Sequence, residues 1–98
     1  MYKIQQTNIF SEWFESLKDS RDQKRIMARL DRAELGNLGD VKSVGGGVME
    51  MRFYFGPGYR IYYTMRENIM VLLLCGGDKS SQSADIKYAR EIMRELFE

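Results

Sequence analysis

The sequence predicts an α+β fold in which two N-terminal helices pack on a β-sheet and a third helix closes the chain. Three observations predict it. Apolar residues recur at helical spacing in two early stretches, Phe10 to Leu17 and Ile26 to Ala33. From Val48 to Met65 they alternate every second residue around Gly56-Pro57-Gly58, the pattern of a hairpin. Helical spacing then returns at Ala84, Ala89, Ile92, Met93 and Leu96. A chain of 98 residues has room for one domain, residues 1–98.

Tyr2 to Gln6 alternates as a short strand. Thr7 or Asn8 is placed to cap the next helix, because a side-chain oxygen there accepts from its free N–H groups. In that helix Phe10, Trp13, Phe14 and Leu17 form one apolar face. Asp19-Ser20 marks a break or a cap, and a second helix is expected from about Arg21 to Leu35. Gly36 then supplies a left-handed stop. Ile26, Leu30 and Ala33, with Met27 beside them, form the buried stripe of this helix. Arg21, Arg25, Arg29 and Arg32 form a row on another side, which Lys18 extends. Two readings of that row stand. It is a solvated face neutralised by Asp22, Asp31 and Glu34, or an electrostatic track for nucleic acid or an acidic partner.

Val41 to Val44 begins a strand, broken by Gly45-Gly46-Gly47 as a bulge or wide turn. No Gly-Lys-Ser/Thr follows these glycines, so they do not form a P-loop. Met49, Met51, Phe53 and Phe55 then face one way, and Val48, Glu50, Arg52 and Tyr54 the other. After the turn, Tyr59, Ile61, Tyr63 and Met65 oppose Arg60, Tyr62 and Thr64. If Gly56-Pro57-Gly58 is the whole loop, Phe55 pairs with Tyr59, Arg60 with Tyr54 and Arg52 with Tyr62. Two arginines and two tyrosines then share one face, with Glu50 at its edge. Arg66-Glu67-Asn68 turns the chain again. Ile69 to Leu74 lacks alternation and reads as a strand covered on both faces. The loop Gly76 to Gln82 leads into the closing helix near Ser81 or Ser83.

Composition narrows the chemistry. The chain is 44% apolar and 30% charged, with a net charge of +1, as expected for a globular protein. Its longest apolar run, Ile69 to Cys75, is far short of the ~20 residues that span a bilayer, and no secretory leader is visible, so a cytoplasmic location is expected. The single Cys75 has no partner for an intrachain disulfide and reads as a core residue. There is no histidine, which removes Ser/His and Cys/His nucleophile pairs and histidine-ligated zinc. Acid–base chemistry is left to Lys, Arg, Tyr, Asp and Glu.

The candidate site gathers Arg52, Arg60, Lys79 and nearby tyrosines, with Gln82 and Asp85 near the closing helix. Arginine's planar fork suits phosphate oxygens, tyrosine stacks on bases, and lysine contacts phosphate or acts as a base. Ordinary roles compete: Arg52 pairing with Glu50 or Asp85, Tyr59 and Tyr63 filling the core, Lys79 exposed in a turn, Asp85 capping a helix. The residues alone give a basic, aromatic sheet face.

The chain resembles the RelE/ParE superfamily of type II toxins, closest to the HigB-like addiction module killer branch. The likeness lies in Trp13 and Leu17, Arg29-Leu30, Gly36-Asn37-Leu38-Gly39-Asp40, Gly47-Val48 and Glu50-Met51-Arg52. It continues in Gly58-Tyr59-Arg60-Ile61-Tyr62-Tyr63, Gly76-Gly77-Asp78-Lys79-Ser80-Ser81-Gln82 and Asp85-Ile86. The resemblance implies two N-terminal helices on one face of a twisted, mainly antiparallel sheet, with the working groove on the other face. It implies ribosome-dependent mRNA cleavage, no metal or organic cofactor, and a toxin–antitoxin hetero-oligomer with a helix-turn-helix antitoxin. Carried over by position, Arg60 is the phosphate-stabilising arginine, Arg52 a basic position of the preceding strand, and Lys79 the basic residue after the last strand. RNA contacts are expected from Lys42, Tyr54, Tyr62 and Gln82, and the arginine row is expected to meet the antitoxin or to act electrostatically. Val48 and Glu50 stand where ribosome-dependent members carry lysines, and Lys42 is a candidate substitute. Two other activities fit the same fold: a ParE-like block of DNA gyrase, and a binding module without activity of its own.

Overall fold

The computed structural model describes residues 1–98. In chain order the elements are β1 (Lys3–Gln6), α1 (Asn8–Ser16), α2 (Ser20–Glu34), β2 (Val41–Gly45), β3 (Val48–Arg52), β4 (Tyr59–Arg66), β5 (Met70–Asp78), a 3₁₀ turn (Lys79–Ser81) and α3 (Gln82–Phe97). The five strands form one sheet in the order β1-β5-β4-β3-β2. All pairings are antiparallel except β1 with β5, which run parallel. The predicted α+β class holds, and the predicted element order holds with it.

Local chemistry sets the boundaries. Thr7 caps α1 by accepting from the Phe10 amide at 3.0 Å, while its hydroxyl donates to the Leu74 carbonyl at 2.6 Å. Asp19 caps α2 through the Arg21 amide at 2.8 Å. α2 stops as Gly36 turns left-handed, with φ +106°. The β2–β3 turn runs through Gly45, Gly46 and Gly47, all at positive φ, and a register irregularity follows Ser43. The expected bulge and the expected turn are therefore both present. β5 extends through Gly76, Gly77 and Asp78, so three of the seven residues of the expected loop are strand, and the rest are the 3₁₀ turn and the start of α3.

Two cores lie on opposite faces of the sheet. α1 and α2 cover one, where Phe10, Ile26, Leu30 and Ala33 meet Met51, Phe53, Tyr59, Ile61, Tyr63, Val71 and Leu73. α3 covers the other, where Ala89 and Ile92 meet Val48, Tyr62, Leu74 and Cys75. The predicted stripe of α2 is buried except for Met27, which is 45% exposed. The second core departs from the expectation of an open face opposite the N-terminal helices: α3 occupies it.

The end of β5 is held between helices by two glycines. A methyl group at Gly76 would meet the Trp13 ring at 2.4 Å, and one at Gly77 would meet the Asp85 carboxylate at 1.8 Å. Gly76→Ala is therefore expected to cost about 1–3 kcal/mol as Trp13 is driven from its seat. A thermal melt should fall by roughly 4–8 °C per kcal/mol. An unchanged melting temperature would show that Trp13 repacks freely.

Candidate functional site

The hairpin pairs differently from the register its glycines suggest. Arg52 lies opposite Arg60, and Glu50 opposite Tyr62. β3 ends at Arg52, and Phe53 to Gly58 form a longer connection than three residues. The expected pairs Arg60–Tyr54 and Arg52–Tyr62 do not form. The offset is two residues, which leaves every side chain on its predicted face, since side chains alternate with a period of two. Two arginines directly opposite repel, and each is drawn to a different acid.

Arg52 donates to Asp40 at 2.8 Å. The Tyr54 hydroxyl also donates to Asp40. That hydrogen bond, then the one from Arg52, holds the Asp40 carboxyl below its ordinary range. The same bonds push Arg52 and Tyr54 upward. Arg29 reinforces the corner, donating to the carbonyl of Asp40 at 2.8 Å and to that of Arg52 while its guanidinium lies 4.6 Å from the centre of the Phe53 ring. Arg52 is thereby committed to the turn before β2 and does not line the cavity that holds Arg60.

Arg60 sits low in the sheet, 8% exposed. Its Nη1 donates to the carbonyls of Gly58 and Tyr59 at 3.2 Å and of Phe53 at 3.4 Å. Its Nε lies 4.0 Å from Glu50 Oε1. Nη2 makes no hydrogen bond within the chain, and unlike Nε it is not enclosed. A cavity of about 260 Å³ is lined by Phe53, Tyr54, Gly56, Pro57, Gly58, Arg60 and Lys79. The structure thus brings Arg60, Lys79 and Tyr54 together. Tyr54 is 74% exposed and free to stack. Lys79 reaches the cavity from the 3₁₀ turn, which is tied by Asp78 to the Ser80 amide at 2.8 Å and by Ser81 to Asp85 at 2.5 Å.

Three expected RNA contacts are placed elsewhere. Tyr62 is fully buried beneath α3 and donates to Glu50 at 3.1 Å, so it offers no face to a base. Gln82 donates to the same carboxylate at 2.7 Å. Lys42 lies 4.0 Å from Glu50, outside the cavity. Glu50 is fully buried rather than at the edge. The sequence pattern places Glu50 at an edge and offers it to Arg52; the structure instead gives Arg52 to Asp40 and buries Glu50 beside Arg60. The available signal was a lone acid in an otherwise apolar and basic alternation, flanked by Lys42 and Arg52.

The arginine row divides. Arg21 is exposed and lies 3.6 Å from Asp19, whereas Arg29 turns inward as described. Arg25 and Arg32 make no ion pair. With Ala28, Arg29, Phe53, Tyr54 and Phe55 they line a second cavity of about 410 Å³, and Arg25 lies 5.2 Å from the Phe55 ring centre. The two cavities share Phe53 and Tyr54. No helix is long and apolar enough to cross a membrane.

Residues 12–96 match the family described as phage derived protein Gp49-like (DUF891). An uncharacterized protein of Haemophilus influenzae (strain ATCC 51907 / DSM 11121 / KW20 / Rd) is 45% identical over 94 residues, which is 96% of this chain and 95% of that protein.

Proposed function

The chain belongs to the phage-derived Gp49-like family, which is related to addiction module toxins, and from that premise we propose that it is the toxin of a toxin–antitoxin pair that stops translation by cutting mRNA on the ribosome. The observation that carries this reading is the meeting of Arg60 and Lys79 at one cavity, with Arg60 Nη2 uncommitted. Cleavage by attack of a 2′-OH on the adjacent phosphate requires three things: removal of the 2′ proton, stabilisation of the phosphorane charge and protonation of the leaving 5′-oxygen. Arg60 supplies the second, because its charge is fixed and its orientation is set before substrate arrives. Of the groups lining the cavity, Lys79 and Tyr54 are those able to exchange a proton with the substrate. Tyr54 also offers an exposed ring to an unpaired base.

Induction of the chain alone, followed by primer extension on cellular mRNA and on purified mRNA with and without ribosomes, tests the proposal. Growth arrest with cuts that require ribosomes is the expected result. Double-strand DNA breaks with intact mRNA would replace this reading with inhibition of gyrase, and normal growth would leave a module without activity of its own.

The antitoxin contact is assigned to the second cavity. Arg25 and Arg32 are two unpaired cations beside an aromatic floor, and an acidic, apolar segment complements them. The double charge reversal Arg25→Glu, Arg32→Glu is expected to weaken antitoxin binding about 10- to 100-fold in titration calorimetry, with toxicity retained. Unchanged affinity would return both residues to solvent.

A further inference from the structure

The geometry points to Glu50 as a positioning residue that holds both cations of the clamp, Arg60 directly and Lys79 through the start of α3. This rests on the reading of the Arg60–Lys79 cavity as the working site. Glu50 is fully buried in the middle of β3, opposite Lys42 on one side and Tyr62 on the other. Its Oε2 accepts from Tyr62 and from Gln82. Its Oε1 accepts no hydrogen bond and lies 4.0 Å from both Arg60 Nε and Lys42 Nζ. Arg60 Nε is likewise enclosed without a partner. Two buried atoms of opposite charge thus face each other at ion-pair distance.

A carboxylate taken out of water is a poor stabiliser, because desolvation consumes most of the Coulombic gain. What it does well here is fix direction. The charge of Glu50 attracts the Nε edge of the Arg60 guanidinium, while three carbonyls hold Nη1. The plane is then set, with Nη2 left without a partner in a side chain that lines the cavity. Through Gln82 the same carboxylate holds the first residue of α3, which directly follows the Lys79–Ser81 turn. One buried acid therefore registers two cations that arrive from different parts of the chain.

Glu50→Gln keeps the shape and removes the charge. Three readouts are expected to move together. The Arg60 Nε–Hε signal in ¹⁵N NMR shifts, and its solvent exchange speeds at least tenfold. On ribosomes, the kcat of mRNA cleavage falls at least tenfold, with KM within twofold of wild type. An Arg60 signal and a kcat both unchanged would overturn the proposal, as would a loss confined to melting temperature. Gln82→Ala serves as the second variant, since it keeps the Glu50 charge and cuts only the tether to α3. It is expected to leave the Arg60 signal in place and speed amide exchange at Lys79, Ser80 and Ser81 at least tenfold. Unchanged exchange there would overturn the link to Lys79; if Glu50→Gln does not fold, the wild-type Arg60 Nε–Hε signal decides the other half, slow solvent exchange being expected and exchange as fast as that of a free arginine overturning it. If the wild-type chain cuts no mRNA, the proposed activity falls while the NMR and exchange measurements still judge the positioning role.

Discussion

Arg60→Ala is expected to abolish growth arrest and to lower mRNA cleavage on ribosomes by about 10²- to 10³-fold, the usual loss when one preorganised donor to a developing oxyanion is removed. Arg60 provides the cavity's only permanently charged fork, since Arg52 is spent on Asp40. The substitution also leaves the buried Glu50 with only the half-exposed Lys42 as a facing cation, and stability falls with it, because breaking a buried pair leaves a charge poorly compensated. Arg60→Lys separates the two effects. Lysine restores a positive charge near Glu50 but lacks the fork and cannot bond three carbonyls while presenting a free nitrogen. The melting temperature of Arg60→Lys should lie close to wild type while cleavage stays near that of Arg60→Ala. Full cleavage by a folded Arg60→Lys would show that charge alone suffices and that the orientation described here has no catalytic consequence.

The second large effect is loss of the fold at high pH. Burial, with a hydrogen bond to Asp22, pushes Tyr59 up to about 12, and burial, opposed by the nearby Arg29, does the same for Tyr63. Cys75 is pushed up to about 12 by burial, and burial with the neighbouring Glu50 raises Tyr62 further. Each of these groups holds its proton more tightly in the folded chain than in the unfolded one. Their contribution is fully present below about pH 9. As pH passes the unfolded values, near 9 for the thiol and 10 for the phenols, the unfolded chain ionises first and stability falls until the folded values are reached. Each group sets a slope of about 1.4 kcal/mol per pH unit in that window, so the four together remove roughly four times as much. Across two units that is roughly 11 kcal/mol, comparable to a net stability of about 5–15 kcal/mol. Near-UV circular dichroism should therefore collapse between about pH 10 and 12. Tyr63→Phe, which deletes a buried hydroxyl without a partner, should move the collapse upward. A spectrum unchanged to pH 12 would mean that the tyrosines are reached by water in the folded state.

Much of the fold was legible because it rests on local chemistry. The Thr7 and Asp19 caps, the Gly36 stop and the alternation from Val48 to Met65 each report a backbone requirement of a few residues. What could not be read required knowledge of distant partners. The hairpin register was misjudged by two residues because a shift of two preserves both faces, so the apolar pattern gives no penalty. Tyr62 was expected at the surface because nothing in β4 itself shows that α3 covers it. Its burial is decided by Val48, Leu74 and Cys75 meeting Ala89 and Ile92 from the far end of the chain. The site was legible in part for the same reason. Arg60 and Lys79 flank the sheet end that the glycines mark, and they meet there. Arg52 was separated from them by Asp40, twelve residues earlier, and Glu50 acquired its role only through contacts from three other elements.

The pairing of β1 with β5 has a consequence for how the chain comes to be folded at all. The first strand finds its partner only when residues 70–73 are available, and until then the amide of Thr7 lacks the Leu73 carbonyl and Trp13 lacks its seat against Gly76. Closing so long a loop comes late, and folding governed by distant strand pairing is slow compared with helix formation. The Arg60–Lys79 cavity depends on the same final strand and the turn after it. The cavity shared by Arg60 and Lys79 therefore cannot form before residues 70–79 have been made and paired.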